Sequence, residues 1–195
     1  MIRFLPLLIL LFCSACIQLG GETKPTRFYL LEATTEGNAA TVTEQIQLEF
    51  SPIEFPSYLD RPQIVARNKA NAIIIADHDR WAEPLSDNLI RTLQENLYKQ
   101  LPGISINSAP WSGNTGPSYQ INLIINRFDG TVGQQTEVDI RWTLFSTSSN
   151  EELQRKHYLA KLPIGDNYQD LVDGLNTALS ELSKEIATTL IAQQR

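Results

Sequence analysis

The stretch Glu137-Val138-Asp139-Ile140-Arg141-Trp142-Thr143-Leu144 alternates one apolar residue with one polar residue over its whole length. Successive side chains of a strand point to opposite faces, so this period of two places Val138, Ile140, Trp142 and Leu144 on a buried face and the charged residues in water. The same alternation stands on either side. Tyr119, Ile121, Leu123 and Ile125 alternate with Gln120, Asn122 and Asn126, and a weaker set follows at Tyr158, Ala160 and Leu162. Short connections containing Gly and Ser join the three, which predicts an antiparallel meander. Beyond them the period changes. From about Asn167 to Ala192, the apolar residues Tyr168, Leu171, Val172, Leu175, Leu179, Leu182, Ile186 and Leu190 share one helical face.

Working back towards the amino terminus, a second helix is predicted from about Pro84 to Leu101. Leu85, Leu89, Leu93, Leu97 and Leu101 form its stripe, widened by Ile90, and Pro102-Gly103 stops it. Pro84 suits a first helical position, where its missing N–H does no harm. Ile46, Leu48 and Phe50 alternate with Gln45, Gln47 and Glu49, a half-buried strand limited by Pro52 and Pro56. Arg27 to Glu32 reads as a first strand. Gln63 to Arg67 and Ala72 to Ala76 read as a strand pair joined by a turn at Asn68-Lys69-Ala70-Asn71. Asp77, His78 and Asp79 then read as a solvated turn before Trp81. The predicted architecture is a two-layer α+β domain, a largely antiparallel or mixed sheet packed on one side by two amphipathic helices.

The amino terminus has a different character. Arg3 gives a positive start, Phe4 to Phe12 is apolar, and Ser14 and Ala15 are small. That is the pattern of an export signal, and the run is far shorter than the roughly 20 residues a spanning helix needs. Cys13-Ser14-Ala15-Cys16 resembles a bacterial lipobox, with Cys13 where an aliphatic residue usually stands. The chain's two cysteines, Cys13 and Cys16, both lie here, so lipidation of Cys16 would leave the folded part without a thiol nucleophile or a disulfide. Acyl chains anchor firmly, at about 0.8 kcal/mol per buried methylene. Ile17 follows the cysteine instead of Asp, which in lipoproteins of this kind favours sorting to the outer membrane. The segment Ile17 to Pro25 has the composition of a flexible tether and fully stretched reaches roughly 30 Å, at roughly 3.4 Å per residue. Residues 1–15 are thus expected to be a signal peptide, 16–26 the lipidated cysteine and tether, and 27–195 a single periplasmic domain. Glu36 to Thr43 is expected to be a loop within it.

Composition narrows the function. The chain carries 16 Lys and Arg against 22 Asp and Glu, a net charge of −6, with no basic patch for nucleic acid or for an anionic membrane surface. Only two histidines exist, His78 and His157, and neither has a ligand-spaced neighbour, so no metal or other cofactor is expected. There is no G-x-S-x-G elbow, no G-x-G-x-x-G and no P-loop. Glu83 and Asp87 stand one turn apart at the start of the first helix, where its dipole favours acidic residues by about 0.3–1 kcal/mol. No catalytic residue is singled out, and a non-enzymatic role is expected.

Two segments read unlike ordinary core filler. One is Phe55-Pro56-Ser57-Tyr58-Leu59-Asp60-Arg61-Pro62-Gln63-Ile64-Val65-Ala66-Arg67; the other is Asp79-Arg80-Trp81-Ala82-Glu83-Pro84-Leu85. With Arg27-Phe28-Tyr29-Leu30-Leu31, they closely resemble the PqiC family, also described as ABC-type transport auxiliary lipoproteins. The order of lipobox, RFYLL, YLDRPQIV, RWAEPL, helix, strands and final helix covers nearly the whole chain. The resemblance implies a non-catalytic outer-membrane accessory of an MCE/ABC-type system that moves lipid between the two membranes and supports envelope integrity. Its implied partners are a periplasm-spanning MCE-domain protein of the PqiB type and further copies of the chain, in a ring that receives the tip of the MCE assembly. From the residues alone, Asp60, Arg61 and Pro62 suit a turn that launches the following strand, and Trp81 suits a cover over the helix start with Arg80 nearby. The same residue types concentrate binding energy at interfaces, so Tyr58, Asp60, Arg61 and Trp81 are the candidates for partner or oligomer contact. Two other classes stay open: a periplasmic lipoprotein that binds a lipid or regulates cell-wall synthesis, and an envelope hydrolase with a carboxylate pair assembled only in space.

Overall fold

In the computed structural model, residues 24–35, 46–108 and 119–193 are described. Cys16, the Ile17 to Pro25 tether up to residue 23 and the Glu36 to Thr43 loop lie outside them.

The alternating stretch at the centre of the sequence is β7 (Gln135–Ser146), flanked by β6 (Tyr119–Thr131) and β8 (Glu151–Pro163). The three form the expected antiparallel meander, with Ile125 opposite Ile140, and Ile140 opposite Tyr158. Gly133, at φ 77°, makes the β6–β7 turn, a left-handed conformation that glycine adopts at no steric cost. On the far side of β6, β2 (Gln47–Phe50) and β5 (Ser105–Ser108) add in parallel, giving the order β5-β2-β6-β7-β8. A second sheet of three strands has the order β1-β4-β3, from β1 (Arg27–Tyr29), β3 (Gln63–Arg67) and β4 (Ile73–Trp81). Helix α1 is Leu85–Gln100 and α2 is Tyr168–Ala192. The α+β class is borne out, with two mixed sheets in place of the single sheet expected.

Helix α2 lies across β6, β7 and β8 and against α1. Its residues Leu171, Leu179, Leu182, Ile186 and Leu190 are fully buried with Ile121, Ile140, Trp142 and Leu144 of the sheet. A helix can approach this closely because position 174 is glycine. A Cβ there would sit 2.3 Å from Thr136 Oγ1 and 2.8 Å from Ile164 Cγ2. Asn167 caps the helix, its side chain accepting from the Asp170 N–H. The α1 stripe of Leu85, Leu89, Leu93, Leu97 and Leu101 is buried as its period demands.

Three expectations change, and one strand is added. The first strand stops at Tyr29, not Glu32, because the chain then threads against the two helices. Its backbone N–H groups find side-chain acceptors there: Leu31 N–H donates to Asn88 Oδ1 at 3.0 Å, Glu32 N–H to Asn176 Oδ1 at 3.0 Å and Thr35 N–H to Asn96 Oδ1 at 3.1 Å. Buried asparagines replace the strand ladder, which is how a non-repetitive segment satisfies its obligatory donors. Asp77, His78 and Asp79 form no turn but continue β4 to Trp81. Asp79 is buried; it accepts the Tyr29 hydroxyl at 2.8 Å and pairs with Arg27 at 2.8 Å. That local partnering outweighs the polar composition that suggested a turn. Pro84 is the N-cap of α1, one position before the first helical residue. Strand β5 has a sequence, Ser-Ile-Asn-Ser, with too little apolar periodicity to announce a strand.

The turn at Asn68-Lys69-Ala70-Asn71 is borne out. Asn68 Oδ1 accepts from the Ala70 and Ala72 N–H groups, both at 2.9 Å, and Asn71 takes a left-handed φ of 62°.

Candidate docking groove

The two motif segments, separated in sequence by the Asn68–Asn71 turn and most of β4, meet in space. Pro56 to Pro62 forms a compact turn in which Leu59 N–H donates to Pro56 O at 2.9 Å and Arg61 N–H to Leu59 O at 2.8 Å. Leu59 is buried beneath it. Trp81 N–H then donates to Pro62 O at 2.7 Å and Ala82 N–H to Tyr29 O at 2.9 Å, which ties the end of β4 to the turn on one side and to β1 on the other. Between them is an open groove of about 400 Å³, lined by Asp60, Arg61, Pro62, Trp81, Ala82, Glu83, Pro84 and Leu85. The structure thus brings Asp60, Arg61 and Trp81 together. Trp81 is itself buried and stands beside Tyr29 in the parallel register, so it builds the groove wall from the core side.

Charges around the groove are arranged unevenly. Glu83 pairs with Arg91, which also reaches Glu95 at 3.2 Å. The hydrogen bond to Glu83 leads in raising the Arg91 pKa further, ahead of the pairing with Glu95. Arg61 has no such arrangement: its Nε is buried without a hydrogen-bond partner among the described residues, as is the Nε of Arg80. An unmet guanidinium donor costs stability unless something accepts from it. Apolar walls flanked by an acid and an arginine can receive an extended chain, offering packing to side chains and charged hydrogen bonds to polar groups.

Tyr58, the fourth candidate, is placed elsewhere. Its hydroxyl donates to Asp129 Oδ2 at 3.0 Å, and Arg67 donates through Nε to both Asp129 oxygens, at 3.1 and 2.9 Å. The Arg67 guanidinium also lies 5.3 Å from the Tyr58 ring centre, within cation–π range. Arg127 Nε completes the set, donating to Asp129 Oδ1 at 2.8 Å and continuing through Nη1 to Glu137 at 2.6 Å. The Asp129 side chain has no solvent exposure. Burial, with the Asp129 charge beside it, pushes the Tyr58 phenol upward. This network joins β3 of the small sheet to β6 and β7 of the large one. Tyr58 therefore acts in fixing one sheet against the other. The sequence reading missed Asp129 and Arg127, whose ladder neighbours give no local signal; Arg67 closed the first motif and was visible only as its last residue.

Among the described residues no group of three His, Cys, Asp or Glu side chains is placed to hold a metal ion, and no helix is long and apolar enough to cross a membrane.

The α+β domain of two sheets is a fold that comparisons with known proteins place in a family. The family of ABC-type transport auxiliary lipoprotein components matches residues 29–187, and the chain belongs to it. Among curated proteins, the intermembrane transport lipoprotein PqiC of Escherichia coli K12 is 26% identical over 161 residues, covering 82% of this chain and 83% of its own. The PqiC of Shigella flexneri matches with the same figures. Among solved structures, protein XCC0632 of Xanthomonas campestris superposes with a TM-score of 0.71 at 16% identity, over 86% of this chain and 98% of its own. An uncharacterised protein superposes with a TM-score of 0.69 at 22% identity, over 85% and 98%; both show the fold. The resemblance read from the two motifs is borne out by the family and by PqiC.

Proposed function

We propose that this protein is an outer-membrane lipoprotein, anchored through Cys16, that serves as a non-catalytic accessory subunit of an MCE/ABC-type intermembrane lipid transport system and so supports envelope integrity. Family membership and the PqiC relatives support the transport role. The anchor rests on the Cys13-Ser14-Ala15-Cys16 sequence, and the outer-membrane address on Ile17. The partner is a periplasm-spanning MCE-domain protein of the PqiB type, met by a ring-like assembly of this chain.

The observation that carries the docking role is the convergence of Asp60-Arg61-Pro62 and Trp81 to Leu85 on one open groove. Interface energy concentrates on a few such residues, each worth about 2 kcal/mol or more when lost. Binding of the full chain in detergent to the purified MCE partner tests this. Arg61→Glu should weaken the complex at least about tenfold, with the fold of the free variant checked by circular dichroism. Equal affinity for the variant and the parent would remove the groove from the interface.

A further inference from the structure

Strand β4 carries an unexplained surface feature. Ile73, Ile74 and Ile75 are consecutive and 40%, 41% and 44% exposed. On one side they pair with β3, as Arg67, Ala66 and Val65. On the other side β1 covers only Asp79, Arg80 and Trp81, so among the described residues the edge from Ile73 to His78 has no strand beside it. An uncovered run of β-branched residues with free backbone donors and acceptors is a template for another strand, and proteins ordinarily blunt such edges with charge or proline.

A matching edge exists on the same molecule. β8 is the last strand of the large sheet, so its outer side has no neighbour among the described residues. In its middle Leu159 is 63% exposed, the largest exposure of any apolar side chain on that sheet's edge. The exposed face alternates Arg155, His157, Leu159 and Lys161, while Tyr158 and Ala160 turn to the core. If Ile75 stands opposite Leu159, then Asp77, two residues on and exposed, falls opposite His157 in an antiparallel pairing or Lys161 in a parallel one. Either direction sets the exposed Asp77 carboxylate against a basic side chain of β8 that also reaches a β7 carboxylate in its own sheet, His157 to Asp139 at 2.8 Å or Lys161 to Glu137 at 3.5 Å. Opposite-charge and apolar cross-strand pairs of this kind stabilise a ladder.

We propose that the Ile73–Asp77 edge of β4 in one copy receives the outer edge of β8 of a second copy, with Ile75 against Leu159. The two patches differ, so the contact is head-to-tail and repeats from copy to copy, which closes a ring when the rotation allows. The inference rests on the self-association included in the proposed function and supplies its surfaces.

Two single variants and their mixture test it, on the full chain in detergent by analytical ultracentrifugation. Ile75→Lys removes one edge and Leu159→Glu the other; both positions are exposed, so folding is retained and is checked by circular dichroism. Each variant alone should sediment as a single protomer where the parent forms an oligomer. An equimolar mixture should form a one-to-one dimer, since one intact edge of each kind remains. Variants that keep the parent's mass would overturn the edge assignment while self-association stands. A mixture that stays monomeric would overturn head-to-tail pairing. A parent that is monomeric at all concentrations would overturn both this contact and the self-association beneath it.

Discussion

The two sheets of this protein hold their strands in different ways. In the five-stranded sheet, β6, β7 and β8 each run for twelve or thirteen residues and bury one face beneath α2, so regular pairing and apolar packing together define the structure. In the three-stranded sheet, β1 pairs over three residues, β4 runs past its neighbour, and buried polar side chains fill the gaps. Asp79 ties Tyr29 and Arg27 to β4, and Asn88 and Asn96 serve the chain that follows β1. The long sheet is a scaffold. The short one carries the groove, the exposed isoleucines and the junction motifs, and it depends on single side chains in a way the scaffold does not.

Mutations should separate the two regimes. The largest effect is expected at their junction. Asp129→Ala would leave Arg67 and Arg127 beside a vacated buried site, and breaking such a network costs about 3–5 kcal/mol, measured as a loss of unfolding free energy in denaturant. Leu182→Ala, in the α2 face over the scaffold, should cost about 2–5 kcal/mol through lost burial and the cavity left behind. Asn88→Ala should cost about 1–3 kcal/mol, since Leu31 N–H loses its acceptor, and amide exchange at Leu31 should quicken more than at Ile140. Ile75→Ala, half in solvent, should change stability by less than about 1 kcal/mol. A ranking in which Ile75 rivals Leu182 would contradict the division into scaffold and presenting sheet.

Acid sharpens the same comparison. Burial works against ionisation of Glu137 and Asp139 on β7. It is more than offset, for Glu137, by the Gln135 amide with Arg127 and Lys161, and for Asp139 by Asn126 and His157; both carboxyls are held below their ordinary range. A carboxyl with a depressed folded pKa contributes stability above its unfolded value and loses it as pH falls through the folded one. Unfolding free energy should therefore decline from the ordinary carboxylate range downward, and Asp139→Asn should flatten part of that slope. An unchanged slope would show that these pairs contribute nothing to it.

The scaffold was legible in the sequence because period-two alternation over Val138 to Leu144 and a single helical face over α2 leave one reading each. The small sheet was legible only in part. Gln63 to Arg67 and the Asn68–Asn71 turn carry local signals, whereas Asp79 looks solvated until Tyr29 is brought to it across 50 residues, with Arg27 alongside. Asp60, Arg61 and Trp81 stood out by residue type, and their meeting in one groove is a product of the fold. Tyr58 stood out equally, yet its partners, Asp129 and Arg67, turn it inward to the junction.

The central claim, that the groove between Asp60 and Leu85 receives the transport partner, is tested most directly by photo-crosslinking in intact cells. A photoreactive residue at Asp60 or Ala82 on the groove should trap the MCE-domain partner, and one at exposed Thr188 on α2 should not. Crosslinks from Thr188 with none from Asp60 or Ala82 would contradict the account.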